Sequence, residues 1–185
     1  MEVLCQGEFI PGPQNIVLVG FMGCGKSAIG KELANLLSYP LVDTDQVIEK
    51  EAGRTIPEIF QDEGEPGFRK KETETLAELV KQQPNHQIIS TGGGIVVTEE
   101  NHAYLSQLGF VVWLTARPET VLARVEGSTR PLLATEDPLQ TIKDLQAQRH
   151  DAYEKASHVA IETDDLTINE IASGVLETAR YHFCK

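Results

Sequence analysis

The sequence is short of positive charge: 16 Lys and Arg stand against 28 Asp and Glu, a formal net charge of -12. Polyanions are bound mainly through an excess of cations, so this shortage speaks against a nucleic acid or an anionic membrane as partner. A small anionic ligand would need the few arginines gathered where it sits. Cysteine is also scarce, at Cys5, Cys24 and Cys184, with no C-x-x-C pair, which argues for reduced thiols over a disulfide framework or a thiolate zinc site. No apolar run approaches the roughly eighteen residues of a membrane span. The opening MEVLCQGEFIPGP has neither a basic start nor an apolar middle, so no secretory signal is expected and the expected location is cytoplasmic.

What is present suits a globular chain. With 41% hydrophobic and 24% charged residues over a length of 185, one domain with a real core is expected. Five short runs rich in β-branched residues predict strands at 16–19, 40–43, 88–90, 110–114 and 158–162. Helical patterns fall between them: Lys26 to Ser38, with Ile29, Leu33, Leu36 and Leu37 on one face, Thr98 to Leu108, Pro118 to Val125, a polar stretch over 139–155, and 167–182 at the end. TIPE at 55–58 has the capping-box spacing and predicts a short helix through Phe60. Continuous apolar strands separated by helices imply an α/β class with a central parallel sheet, whose ligands bind at the carboxyl ends of the strands. Residues 1–14 read as an extension before the domain, and 127–138 as a loop.

The stretch Gly20-Phe21-Met22-Gly23-Cys24-Gly25-Lys26-Ser27 fits G-x-x-x-x-G-K-[ST] and lies between a predicted strand and a predicted helix. Glycines let successive N–H groups point at phosphate oxygens, and the helix N-terminus adds partial positive charge. In that pattern Lys26 reaches the β- and γ-phosphates and Ser27 supplies a hydroxyl for Mg²⁺. Asp43 and Asp45 flank Thr44 at the end of the second strand; if the chain is extended there, both carboxylates point the same way. One could hold the metal through water while the other accepts a proton from an attacking hydroxyl. Arg69 follows the turn-like GEPG, Arg149 lies in QRHDAY, and Gly92, Gly93 and Gly94 follow the third strand. A guanidinium fork suits a planar carboxylate because it donates two parallel hydrogen bonds.

GFMGCGKS, VDTD, RTIPEIF, GEPGFRKKE, STGGG, VVWL, STRPLL and QRHDAY stand in an order that resembles the shikimate kinase family, from about Ile16 to His158. The resemblance implies transfer of the ATP γ-phosphoryl group to the 3-hydroxyl of shikimate, a step toward chorismate and the aromatic amino acids. It also implies a three-layer nucleoside-monophosphate-kinase-like P-loop fold with a five-stranded parallel sheet of order 2-3-1-4-5 and a mobile lid. One domain over 15–185 would carry a substrate-binding region at about 43–72 and the lid at about 124–138.

By the same resemblance, Gly23, Cys24, Gly25, Lys26, Ser27 and Ala28 hold the nucleotide, and Ser27 and Asp43 serve the metal. Asp45 meets the acceptor hydroxyl as base, Arg69 and Arg149 clamp the shikimate carboxylate, and Gly92, Gly93 and Gly94 line the same pocket. Arg130 closes over ATP from the lid and stabilises the transferring phosphoryl group, and Arg124 lies near adenine. The partners implied are shikimate and MgATP, the unit a monomer. The third strand lacks the aspartate of a generic Walker B strand, which leaves the metal's carboxylate to Asp43. A gluconate-type kinase shares the loop but not DTD, GEPGFR and RPLL. A guanine-nucleotide switch is disfavoured by the absence of any N-K-x-D segment.

Overall fold

The strand run Ile16–Val19 (β3) shows why the sheet lies at the centre: all four residues are buried, and they alternate between two cores. Ile16 and Leu18 pack on one side with Ile29, Leu33, Ile171 and Val175; Val17 and Val19 pack on the other with Leu76, Leu105 and Tyr153. A strand covered on both faces has no polar side, hence the unbroken apolar run.

The computed structural model describes residues 4–5, 8–9, 15–125 and 135–183. Leu4–Cys5 (β1) and Glu8–Phe9 (β2) form an antiparallel pair. After β3 come α1 (Lys26–Leu37), β4 (Leu41–Asp43), α2 (Thr44–Ala52), α3 (Ile56–Gln82) and β5 (Ile88–Ser90). A 3-10 turn at Ile95–Val97 then leads to α4 (Glu100–Leu108), β6 (Phe110–Thr115), α5 (Pro118–Val125), α6 (Pro138–Ala156), β7 (Val159–Glu162) and α7 (Ile168–Phe183). The main sheet runs β4-β5-β3-β6-β7 with every pairing parallel, which is the expected order 2-3-1-4-5 counted along its own strands. Helices α1 and α7 cover one face, and α3, α4 and α6 the other, giving three layers. Among the described residues no helix is long and apolar enough to cross a membrane.

Two local expectations are corrected. The capping box at Thr55 forms, with the Thr55 N–H and hydroxyl both donating to Glu58 Oε2 at 2.7 Å, but the helix it opens is no short one. It runs on to Gln82 with a break at Gly64, where φ is 69° and ψ -177°. Glycine permits that conformation, and Pro66, needing no N–H partner in a first turn, restarts the helix. Arg69 is therefore held on a helix rather than after an open turn. The second correction is at Asp43: the chain does not stay extended past it, because α2 begins at Thr44. Asp43 is the N-cap, its Oδ1 accepting from the Asp45 N–H at 3.0 Å and the Gln46 N–H at 3.3 Å. Asp45 thus stands in the first turn of a helix, and the two carboxylates do not share one face of a strand. Most of the extension over 1–14 and the whole stretch 126–134, with Arg130, lie outside the described residues.

Candidate active site

The glycine loop joins the carboxyl end of β3 to the N-terminus of α1. Gly20 has φ 144°, and a Cβ there would drive into the Leu114 carbonyl and stand 2.8 Å from Cys24 Sγ, so the turn excludes any side chain. Cys24 is fully buried in the core beneath the loop, its Sγ 3.8 Å from Lys26 Nζ. Gly23 and Gly25 complete the curve, both at positive φ, and Ser27 and Ala28 are exposed on the first turn of α1. Lys26 is buried, with Nζ donating to the Gly20 carbonyl at 2.7 Å and the Phe21 carbonyl at 3.0 Å. Its ammonium is folded over the mouth of the loop. Arg124 on α5 ties the loop to the end of β7: Nη1 donates to Thr163 Oγ1 at 2.9 Å and Nη2 to the Thr163 carbonyl at 2.8 Å, with a longer contact of 3.4 Å to the Gly23 carbonyl.

Beside the loop opens a pocket of about 270 Å³ whose wall carries Asp45, Arg69, Glu72, Arg149 and the glycines 92–94. The structure thus brings together the acid of α2, the arginine of α3, the arginine of α6 and the glycine turn after β5. Arg69 Nη1 is paired with Glu72 Oε2 at 2.6 Å and Nη2 with Glu65 Oε1 at 2.8 Å. The guanidinium rests on Gly94, where a Cβ would overlap it. Gly92 is similarly constrained: a Cβ there would stand 2.7 Å from Asp45 Oδ1 and 2.8 Å from Glu72 Oε1. Two carboxylates therefore converge on a residue that has no side chain. Arg149 is buried with its guanidinium over the Phe21 ring, 5.7 Å from the centroid, so the phosphate loop and the pocket share a wall.

Glu72 and Tyr153 were present in the motif segments but carried no role in the sequence reading. Helical spacing was the available signal: Glu72 is three residues after Arg69 on α3, and Tyr153 four after Arg149 on α6. Glu72 is fully buried and its Oε1 has no hydrogen-bond partner among the described residues. Burial raises its pKa from 4.5 to about 7; Asp45 adds to the rise while the Arg69 guanidinium opposes it. A carboxyl whose folded pKa lies above its unfolded value binds a proton more tightly in the folded state, so ionising it costs stability as pH climbs between the two. Glu72→Gln removes that titration and leaves every other group in place. The stability of the variant relative to wild type is expected to rise on the order of 1 to 3 kcal/mol from about pH 4.5 to pH 7. Paired thermal melts across that range check this; a constant gap would show that Glu72 does not titrate there.

A parallel sheet of this order, with the glycine loop and its lysine at the end of the central strand and acids and arginines lining the adjoining pocket, defines a P-loop phosphotransferase. The profile of the family described as "Shikimate kinase" matches residues 22–180. A shikimate kinase of Symbiobacterium thermophilum is 45% identical over 166 residues, covering 88% of this chain and 94% of that protein. The structure titled "Shikimate kinase from Acinetobacter baumannii in complex with shikimate" superposes with a TM-score of 0.88 at 38% identity, covering 95% of this chain and 97% of that one. The chain belongs to the shikimate kinase family, and is a kinase of the kind that takes its phosphoryl group from ATP. A gluconokinase from Sinorhizobium meliloti, at 14% identity and a TM-score of 0.54, shares the fold alone.

Proposed function

We propose that the protein transfers the γ-phosphoryl group of MgATP to the 3-hydroxyl of shikimate, giving shikimate 3-phosphate and ADP on the route to chorismate and the aromatic amino acids. The observation that carries the reading is the pocket itself, where two arginines from different helices and one aspartate border the phosphate loop. Arg69 and Arg149 suit the ring carboxylate, with Arg69 releasing the exposed Glu65 and keeping the buried Glu72. The glycines 92–94 let the ring approach backbone, and the acceptor hydroxyl lies toward Asp45. Lys26 exchanges the Gly20 and Phe21 carbonyls for phosphate oxygens, and the loop from Gly23 to Ala28 wraps them. As the new P–O bond forms, Asp45 takes the hydroxyl proton.

An exposed hydroxyl at Ser27 and a carboxylate at Asp43, fixed by its capping bonds, form a donor set that fits a hard dication such as Mg²⁺. When bound, the ion neutralises charge on the β- and γ-phosphates. Arg124 is assigned to the adenine side, and Arg130 to a lid over about 124–138 that excludes water. The groups named all come from one chain, so the reading takes a monomer as the working unit, in the cytoplasm.

ADP release from MgATP by the purified protein, with and without shikimate and with gluconate as control, tests this directly. Shikimate-dependent release supports it, and ATP binding with no such turnover overturns it. Arg69→Lys is expected to raise the shikimate KM about tenfold or more, because a point charge cannot pair with two carboxylates through one fork. A KM equal to wild type would remove Arg69 from the binding site.

A further inference from the structure

Two donors on α6 meet one carbonyl. Tyr153 donates its hydroxyl to the Gly93 carbonyl at 2.5 Å, and Arg149, one turn earlier on the same face, reaches the same oxygen with Nη1 at only 3.4 Å. Tyr153 has little freedom to do otherwise: it is 2% exposed, and its ring is stacked on Trp113 at 5.3 Å and 10°. Burial also pushes its phenol pKa well up, so the hydroxyl stays a donor across the working pH range. The peptide it holds is not an incidental one. A Cβ on Gly93 would stand 3.0 Å from the Met22 N, so this backbone packs directly on the phosphate loop while its neighbours line the pocket.

We propose that Tyr153 is a positioning residue whose hydroxyl satisfies the Gly93 carbonyl and thereby keeps the Arg149 guanidinium available to a carboxylate in the pocket. The Gly93 carbonyl is part-buried against the loop, where access to water is restricted and a fixed donor satisfies it best. With the phenol in place, the long contact from Arg149 is dispensable and the guanidinium can turn to a ligand. Without it, Arg149 becomes the carbonyl's donor, and an incoming carboxylate must first break that bond. The tyrosine thus acts on acceptor affinity through Arg149 and touches no reacting atom. The identity of the carboxylate rests on the function proposed above; the competition for Gly93 does not.

Tyr153→Phe keeps the ring and its stacking on Trp113 and removes only the donor. Expected is a rise of about tenfold in the shikimate KM, equivalent to about 1.4 kcal/mol, with kcat within about twofold and the ATP KM unchanged. Combined with Arg149→Lys, the two KM effects are expected to fall short of additive, since both act through one guanidinium. An unchanged shikimate KM, or equal losses in kcat and in both KM values as from general loosening, would overturn the proposal. Should the variant not fold, NMR of the wild-type protein decides. A slowly exchanging Tyr153 hydroxyl proton that persists when shikimate is added, while the Arg149 guanidinium signals move, supports the assignment; a missing hydroxyl signal or an unmoved Arg149 sinks it. Wild type serves as the control for the underlying reading: absent shikimate turnover there defeats the proposed function, whereas an active wild type with an unaffected variant defeats only the role of Tyr153.

Discussion

Lys26→Met is expected to lower kcat about a thousandfold or more, the scale on which a preorganised charge at a transferring phosphoryl group acts. Methionine keeps most of the stem and loses the ammonium. In the ligand-free protein that ammonium is buried against the Gly20 and Phe21 carbonyls, so it is already at the loop's mouth and needs only to change partners. Little reorganisation accompanies its use, which is why its loss falls on the chemical step. The same substitution takes the ammonium from two carbonyls; that of Phe21 keeps the Cys24 N–H at 3.3 Å, and loss of the donor at Gly20 costs about 1 to 3 kcal/mol, offset in part by removing a buried charge. Steady-state kcat at saturating ATP and shikimate, with circular dichroism to confirm the fold, makes the measurement. A kcat within twofold of wild type would exclude Lys26 from phosphoryl transfer.

Asp45→Asn is expected to reduce kcat by about a hundredfold to ten-thousandfold, the usual span for a lost general base, with a much smaller change in the shikimate KM. Asparagine matches the aspartate in size, so the close approach to Gly92 survives and geometry is not the variable. The substitution also removes the negative neighbour that helps hold the Glu72 pKa near 7. The variant should therefore show two separable effects: slow turnover, and a Glu72 that ionises at lower pH. If kcat is retained, the proton leaves by another route and Asp45 serves only to orient the hydroxyl.

The sheet could be read from sequence because each of its central strands is buried on both faces and so appears as an unbroken apolar run, IVLV being the clearest. The glycine loop was legible because its residue types are dictated by backbone shape. The acids were legible as a pair but not as a geometry. Asp43 ends β4 by capping α2, and a cap residue and a strand residue look alike when the next element begins without a loop. GEPG carries the composition of a turn, yet its glycine only breaks α3 and its proline starts the second segment, so the helical register linking Arg69 to Glu72 was hidden. Tyr153 escaped for a further reason. Its importance lies in the Gly93 carbonyl it holds, and a partnership across the fold has no local signature.

The exposed pair between Arg69 and Glu65 has a consequence for selectivity. A bare guanidinium in a pocket would recruit any passing carboxylate or phosphate, and Glu65 acts as an internal occupant of that place. Displacing a surface pair of this spacing costs only about 0.3 to 0.5 kcal/mol, roughly a factor of two in affinity. That threshold is trivial for a ligand that also engages Arg149 and the floor of the pocket, but it weighs against an anion with a single point of attachment. A chain with an excess of acids can in this way keep a pocket cation ready for use, already answered by an acid that a better ligand displaces.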